Sequence, residues 1–179
     1  MLKVHKKKKS KFLFSIICAT INNQNQIKKL CNSLKKQSYK KFELIICDQS
    51  QFSANKNIRK IYKNLKIKYI KSNIGLSKSR NKGINISKGD YLIFLDDDIT
   101  FEKNYLEKIN NLLNKSNHKI ISYSVVDNLD KPLLTYPKNN CYLENFKEIF
   151  NSVSSVSFVI NSKNKILFDE KIGLGSDGI

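Results

Sequence analysis

Residues 91–98 read Tyr-Leu-Ile-Phe-Leu-Asp-Asp-Asp, so five apolar side chains lead directly into three carboxylates. A short, continuously apolar run is typical of a strand that is buried on both faces, as strands of parallel sheets are. Three aspartates at the end of such a strand are unfavourable unless a positive charge neutralises them. The stretch therefore predicts a parallel sheet with a polar site where this strand ends.

Apolar strands alternate with amphipathic helices on both sides of this stretch. The predicted strands cover residues 12–20, 42–47, 67–70, 91–95 and 120–126, and the predicted helices carry apolar stripes over residues 27–34, 58–65, 76–86 and 105–113. After residue 127 the pattern weakens and indicates a turn at 130–132, a helix over 142–150 and a half-buried strand over 153–160. This alternation predicts one α/β domain whose mainly parallel sheet has helices on both faces.

The composition is that of a folded protein. A chain of 179 residues is long enough for one well-buried domain, and its 40% hydrophobic and 27% charged content excludes a disordered chain. No apolar run approaches the roughly 20 residues that span a bilayer, so we expect no transmembrane segment. The four cysteines lack metal-ligand spacing. Cys18, Cys31 and Cys47 are interpreted as small core residues, which fits a reducing cytoplasm.

The chain is strongly basic, with 33 lysines and arginines against 15 acidic residues and a net charge of +18. Six lysines fall within residues 1–11, which we interpret as a basic arm preceding a domain at 12–179. A lysine-rich genome composition explains much of this excess without any function. The arm could also attract nucleic acid or an anionic membrane surface, and both alternatives stay open at this point.

Three polar segments follow predicted strands and should converge. They are residues 20–23, residues 48–50 and residues 96–98, and ligands of such sheets bind outside the carboxyl ends of the strands. In an extended chain Asp96 and Asp98 point to the same side, where two carboxylates can hold Mg²⁺ or Mn²⁺. The alternative is that the acidic cluster only caps the helix that follows it.

A basic segment, residues 73–83, supplies the positive partner. It reads Asn-Ile-Gly-Leu-Ser-Lys-Ser-Arg-Asn-Lys-Gly. Glycine allows close backbone approach, and a cation at the start of a helix can hold a phosphate. Only Arg59 and Arg80 are arginines, so Arg80 is a candidate for a position that needs a guanidinium rather than an ammonium group. The alternative is an ordinary exposed arginine on the surface of a helix.

These segments together resemble the family-2 glycosyltransferases, whose donor domain has the GT-A fold. The similarity covers residues 12–115 well and the remainder loosely, and it rests on residues 14–23, 42–50, 73–75, 79–83 and 89–98. The resemblance implies that a sugar is transferred from a nucleotide-sugar donor to a glycan or lipid-linked acceptor in polysaccharide biosynthesis. It also implies an inverting reaction assisted by Mn²⁺ or Mg²⁺, and a chain divided into a donor-binding half, 12–115, and a partial acceptor-side region, 116–179.

The resemblance also assigns site residues by position. Thr20 and Asp48 correspond to nucleoside contacts, with Asp48 accepting a hydrogen bond from the base, and Arg80 corresponds to a residue near the diphosphate. The residues Asp96 and Asp98 match the family's Asp-x-Asp motif, with Asp96 towards the ribose and Asp98 towards the metal. Asp97, between them, is counted with the nucleotide-binding residues.

Three departures from the family pattern stand out. Ala19 and Gln49 occupy positions where a proline and a second acid are common. The Glu-Asp motif that supplies the general base is expected beyond Ile179, so no residue is assigned as the base, and we expect a truncated transferase. Two alternatives therefore stay open: a non-catalytic module that binds nucleotide sugars, and, less favoured, a basic protein that binds nucleic acid or a membrane surface.

The expected surroundings follow from the same assignment. The expected partners are the nucleotide-sugar donor, the acceptor and, peripherally, an anionic membrane, without a specific nucleic acid. The expected location is the cytoplasm, at the inner face of the membrane.

Overall fold

The structure is a computed structural model that describes residues 10–51, 57–115, 120–139, 141–164 and 166–173. Residues 1–9 of the predicted basic arm lie outside the described residues. The strands are β1 (Phe14–Thr20), β2 (Phe42–Asp48), β3 (Ile67–Lys71), β4 (Tyr91–Leu95), β5 (Ile120–Ser122) and β6 (Phe158–Asn161). The α-helices are α1 (Gln24–Lys35), α2 (Ile58–Ile61), α3 (Leu76–Ile86), α4 (Tyr105–Lys115) and α5 (Phe146–Ser152), and a 3₁₀ turn covers Ser162–Asn164.

The described strands form one sheet in the order β3-β2-β1-β4-β6-β5. The strands β3, β2, β1 and β4 run parallel to one another, whereas β6 is antiparallel to both β4 and β5. Every residue of β1, β2 and β4 is buried, as expected for the centre of a doubly covered sheet. The predicted α/β fold with a mainly parallel sheet is therefore confirmed.

Helices cover both faces of the sheet. On one face, α1, α2 and α4 pack through apolar residues such as Leu30 and Leu106 against Ile16 of β1. On the other face, α3 approaches β1 so closely that a Cβ atom on Gly83 would lie 2.5 Å from Cγ2 of Ile17. Successive β1 side chains alternate between these two layers because side chains of a strand point to opposite faces.

Several predicted elements differ in extent from the structure. The strand predicted over 12–20 begins at Phe14, and the helix predicted over 142–150 is observed as α5, Phe146–Ser152. The helix predicted over residues 58–65 ends at Ile61, because Tyr62 leaves helical geometry and its hydroxyl donates to α1. The strand predicted over 120–126 ends at Ser122, where its pairing with Phe158 of β6 ends. The strand predicted over 153–160 begins only at Phe158. A turn precedes it, in which the backbone N–H of Ser154 donates to the Ser157 hydroxyl.

Candidate functional site

The carboxyl ends of β1, β2 and β4 lie together at one edge of the sheet. Thr20 is the register partner of Asp48, and the backbone N–H of Gln49 donates to the Thr20 carbonyl over 2.9 Å. The Thr20 hydroxyl, which is 2% exposed, donates to the Asp97 carboxylate over 2.6 Å. The parallel register thus brings the three polar segments to one place, as their positions in the sequence predicted.

The acidic cluster is a turn and not an extension of β4. The strand ends at Leu95, and the backbone N–H of Ile99 donates to the Asp96 carbonyl over 3.3 Å. The expectation that Asp96 and Asp98 share one side of an extended chain is therefore wrong. The turn lets Asp97 accept hydrogen bonds from the Thr20 hydroxyl and from the Asn23 side-chain amide, the latter over 2.9 Å.

Asp97 has an altered acidity in this setting. Burial raises the pKa of its carboxyl, the hydrogen bonds from Thr20 and Asn23 oppose that rise, and the nearby charges of Asp98 and Asp96 add to it. Negative charge on this turn is therefore unfavourable in the protein alone. A cation bound beside the turn would relieve this effect.

Arg80 is a buried cation beneath the acidic turn. Its Nη2 lies 3.0 Å from Oδ1 of Asp96, and its side chain is 3% exposed against 49% for Asp96. The alternative of an ordinary exposed arginine is wrong. Burial lowers the pKa of the Arg80 guanidinium, and the Asp96 charge opposes that shift. A buried arginine needs such a carboxylate, so the pair fixes the direction of the Asp96 side chain.

Asp48 is buried at the end of β2, with no exposed surface. Its Oδ1 accepts hydrogen bonds from the backbone N–H and hydroxyl of Ser50, and its Oδ2 accepts one from the Tyr69 hydroxyl. Because Asp48 has no exposed surface, a base could bond to it only if a neighbouring group moved, and of its three donor groups the Tyr69 hydroxyl is the one that comes from another strand. The sequence analysis gave no individual role to Ser50 or Tyr69. Apolar periodicity does not report side-chain hydrogen bonds, so their bonds to Asp48 appear only in the structure.

The loop before α3 is tied to the same edge. The backbone N–H of Gly75 donates to Oε1 of Gln49 over 2.7 Å, and Gly75 has a φ of 128°, which a residue with a side chain rarely adopts. The amide of Gln49 accepts this bond without adding a charge next to the acidic turn. The departure from the family pattern at position 49 therefore has a structural role.

Asn81 was part of the basic segment but received no role from the sequence. Its side-chain amide donates to the Phe168 carbonyl over 2.9 Å and accepts from the Phe168 backbone N–H over 2.8 Å. The same amide donates to Oε1 of Glu170, and one turn earlier the Ser77 hydroxyl donates to the Ile172 carbonyl. Helix α3 thereby holds residues 168–172 beside the site.

Asp98 is exposed at the end of the turn. Within the described residues, no group of three or more histidine, cysteine, aspartate or glutamate side chains is placed to hold a metal ion. One exposed carboxylate cannot supply the full set of ligands that a metal ion needs. The arrangement does fit Mg²⁺ or Mn²⁺ held by one or two carboxylates together with substrate phosphates.

The helices of the described residues give no candidate for membrane spanning, since none is both long and apolar enough.

The sequence is similar to that of known glycosyltransferases. The family model described as "Glycosyl transferase family 2" matches residues 15–170. Over 124 residues the chain is 32% identical to the amylovoran biosynthesis glycosyltransferase AmsB of Erwinia amylovora, covering 64% of this chain and 41% of AmsB. Over 88 residues it is 39% identical to WfaP of Escherichia coli, named a UDP-Glc:alpha-D-GlcNAc-diphosphoundecaprenol beta-1,3-glucosyltransferase, covering 48% of this chain and 35% of WfaP.

Solved structures share the fold. The S. aureus TarS 1–349 structure in complex with UDP-GlcNAc superposes with a TM-score of 0.70 at 22% identity, covering 92% of this chain and 51% of that chain. The chain thus spans about half or less of the length of these relatives.

Proposed function

Because this chain belongs to glycosyl transferase family 2, we propose that it binds a nucleoside-diphosphate sugar and transfers the sugar to a glycan or lipid-linked acceptor. The observation that carries the proposal is the convergence of Thr20, Asp48, Arg80 and residues 96–98 at the carboxyl edge of a parallel sheet. This is the edge at which such sheets bind their ligands. UDP-GlcNAc in the similar TarS structure supports the choice of donor class.

We place the nucleoside over β1 and β2. Its base would reach Asp48 by displacing the Tyr69 hydroxyl, while the Ser50 bonds keep the carboxylate in place. Thr20 and Asp97 would line the floor beneath the nucleoside, since the Thr20 hydroxyl already fixes the Asp97 carboxylate. Asp96 would face the ribose in the direction set by Arg80. In this arrangement Arg80 acts on the donor through Asp96 and its positive charge rather than as an exposed ligand.

We place the diphosphate between Asp98 and the start of α3. Gly75 stands at the start of α3 without a side chain that would block a ligand, and the N-terminus of a helix favours an anion. Asp98 would hold Mn²⁺ or Mg²⁺, which supplies Lewis-acid neutralisation of the departing nucleoside diphosphate. Thr20 and Asn23, by holding Asp97, keep the turn in the conformation that presents Asp98 to solvent.

The acceptor side is proposed in coarser terms. The activities named for AmsB and WfaP support a role in polysaccharide biosynthesis and an acceptor that is a glycan or lipid-linked. We propose an inverting transfer, which needs a carboxylate to take the acceptor proton, and none of the described carboxylates is assigned that role. A location at the cytoplasmic face of a membrane fits such acceptors and the buried free thiols of Cys18, Cys31 and Cys47.

Isothermal titration tests donor binding. UDP and GDP are each titrated with Mn²⁺, with Mg²⁺ and with a chelator, and we expect binding by one nucleotide that weakens without metal. Asp98→Asn should lose the metal-dependent part of this binding. Asp127→Asn is its matched control, because Asp127 lies in the loop after β5 and outside the candidate site. Absence of binding at millimolar nucleotide with metal would contradict the donor site. Binding with no sugar transfer to any glycan or lipid-linked acceptor would favour the non-catalytic module.

A further inference from the structure

Acidic residues are almost missing from the first half of the chain. Of the fifteen aspartates and glutamates, only Glu43 and Asp48 lie before residue 90. Both are buried, at 1% and 0% exposure, and both are satisfied by internal partners. A lysine-rich composition explains many lysines, but it does not explain why the acids of this half are all withdrawn from the surface.

The fold gathers exposed lysines of this half on one surface. The helix α1 and the segment after α2 are joined by the Tyr62 hydroxyl, which donates to the Lys28 carbonyl over 3.2 Å and to the Asn32 side chain over 3.1 Å. Between them lies an open groove of about 310 Å³ that is lined in part by Lys35, Lys60 and Lys63. We call the exposed set the basic face; its members are Lys28, Lys29, Lys35, Lys36, Lys60 and Lys63.

The basic face has little internal compensation. On the side of α1 that packs against α4, the carboxylate of Glu107 accepts a hydrogen bond from Ser38, and that of Glu102 pairs with Lys108. On the side towards α2, the described residues present no exposed acid. Like charges a few residues apart on a helix repel, so this arrangement is stabilised when an external anion approaches.

An apolar side chain lies within this positive surface. Ile61 is 61% exposed and sits between the lysines at 60 and 63. An exposed isoleucine beside several lysines suits the boundary between lipid headgroups and acyl chains. There the apolar side chain inserts, and the ammonium groups contact phosphates.

The chemistry of the face is less suited to nucleic acid. The six charges that define it are lysines, whereas arginine provides the bidentate contacts typical of base and phosphate recognition. The neighbouring Arg59 is also exposed, but its Nη2 is directed towards the Tyr69 carbonyl of β3, 3.5 Å away. Tyr62, which also lines the groove, is half-buried and its hydroxyl donates to α1, so its ring is less accessible for stacking a base than that of an exposed aromatic residue.

We propose that the basic face is a docking surface for an anionic lipid bilayer. The contact is peripheral, electrostatic and salt-sensitive, and its six lysines belong neither to residues 1–11 nor to the candidate donor site. It stands whether or not the protein transfers sugar, because none of its six lysines belongs to the candidate site.

Co-sedimentation of the full chain with vesicles tests the surface. The vesicles contain phosphatidylcholine alone or with about one third phosphatidylglycerol, which gives the surface potential that attracts lysines. The face variant carries Lys28→Gln, Lys35→Gln and Lys60→Gln. The matched control carries Lys131→Gln, Lys147→Gln and Lys163→Gln, which are also exposed and lower the net charge by the same amount. None of the six substitutions removes the Lys28 carbonyl or the Asn32 side chain to which the Tyr62 hydroxyl donates.

We expect the wild type to bind only the anionic vesicles at about 0.1 M salt. The face variant should bind more than tenfold more weakly, and the control should lose less than threefold. Equal losses in both variants would overturn the proposal, because net charge alone would then explain binding. Absence of binding to anionic vesicles would also overturn it, as would face-dependent binding to an RNA oligonucleotide without vesicle binding. The nucleotide affinity of the face variant should equal that of the wild type, so loss of vesicle binding can be told apart from damage to the donor site.

Discussion

The guanidinium of Arg80 contacts both Asp96 and Phe168, its Cζ lying 5.2 Å from the centre of the Phe168 ring. The Phe168 ring in turn packs edge-on against Phe94 of β4 at 5.0 Å. Within the described structure, Nε of Arg80 is buried without a hydrogen-bond acceptor, so the ring and Asp96 provide the compensation for this charge. Phe168 lies in the predicted acceptor-side region, yet it completes the surroundings of a donor-side residue.

Phe168→Leu should weaken this relationship. The change removes the ring over the guanidinium and part of the packing on Phe94, so the free energy of unfolding should fall by about 1 kcal/mol. Nucleotide affinity should also fall, because Arg80 would hold Asp96 less firmly. Urea denaturation and isothermal titration measure the two effects. Phe146→Leu is the control, since Phe146 is 79% exposed and should change neither quantity. Equal effects of the two substitutions would refute the role of the ring.

Asn81→Ala should release residues 168–172 from α3. It leaves the N–H and carbonyl of Phe168 without their partner, which costs about 1–3 kcal/mol of stability. Relative to the wild type, amide hydrogen exchange in the variant should become faster in this segment, with no such change in β1 or β2. Asn85→Ala is the matched control, because Asn85 is exposed one turn further along the same helix. If exchange at 168–172 were the same in both variants, Asn81 would not be the residue that docks the segment.

Asp98→Asn distinguishes metal binding from helix capping. If Asp98 holds the metal, nucleotide affinity in the presence of Mn²⁺ should fall more than tenfold, about 1.4 kcal/mol, with little loss of stability. Asp97→Asn should have a smaller effect on affinity, because the Asp97 oxygens face Thr20 and Asn23 rather than solvent. Titrations with and without Mn²⁺ measure both variants. Small and equal effects would favour capping, since Asn caps nearly as well as Asp.

Asp97 predicts a pH dependence of stability in the protein without metal. Its pKa in the folded protein is raised above the ordinary value of 3.8, so the folded state retains the proton longer than the unfolded state does. The stability due to Asp97 is therefore present at low pH and is lost as pH rises from about 3.8 through the raised pKa. Urea denaturation at several pH values should show the wild type losing stability relative to Asp97→Asn over this range. A relative gain with rising pH would contradict the assignment.

Gly83→Ala tests the close packing of α3 on the sheet. Alanine normally stabilises a helix interior by up to about 1 kcal/mol over glycine. Here the added Cβ would lie 2.5 Å from Ile17 and 3.1 Å from the Cys47 sulfur, so we expect a net loss of about 1–3 kcal/mol. In a double-mutant cycle, Ile17→Ala should cost less in the Gly83→Ala protein than in the wild type. Strict additivity would show that the two positions do not collide.

Much of the fold follows from local pattern. The strand β4 and the helix α3 have the predicted boundaries, and the four predicted apolar positions of α1 between Ile27 and Leu34 are all buried. These elements were predictable because period and continuity of apolar residues reflect burial directly. Elements whose limits depend on a distant partner were not. The helix α2 ends where Tyr62 contacts α1, and β5 ends at Ser122, opposite Phe158, where the antiparallel β6 begins.

The sequence by itself determined the order of strands and helices and the arrival of Thr20, Asp48 and Asp96 at one edge, because parallel strands place their carboxyl ends together. Only the tertiary structure decided what these groups do to one another. It turned Asp97 towards Thr20, buried Arg80 beneath Asp96, and brought together Phe168 and Asn81, which are 87 residues apart in the sequence. The physical reason is that a side chain's burial and partners depend on residues distant in sequence, which apolar periodicity does not report.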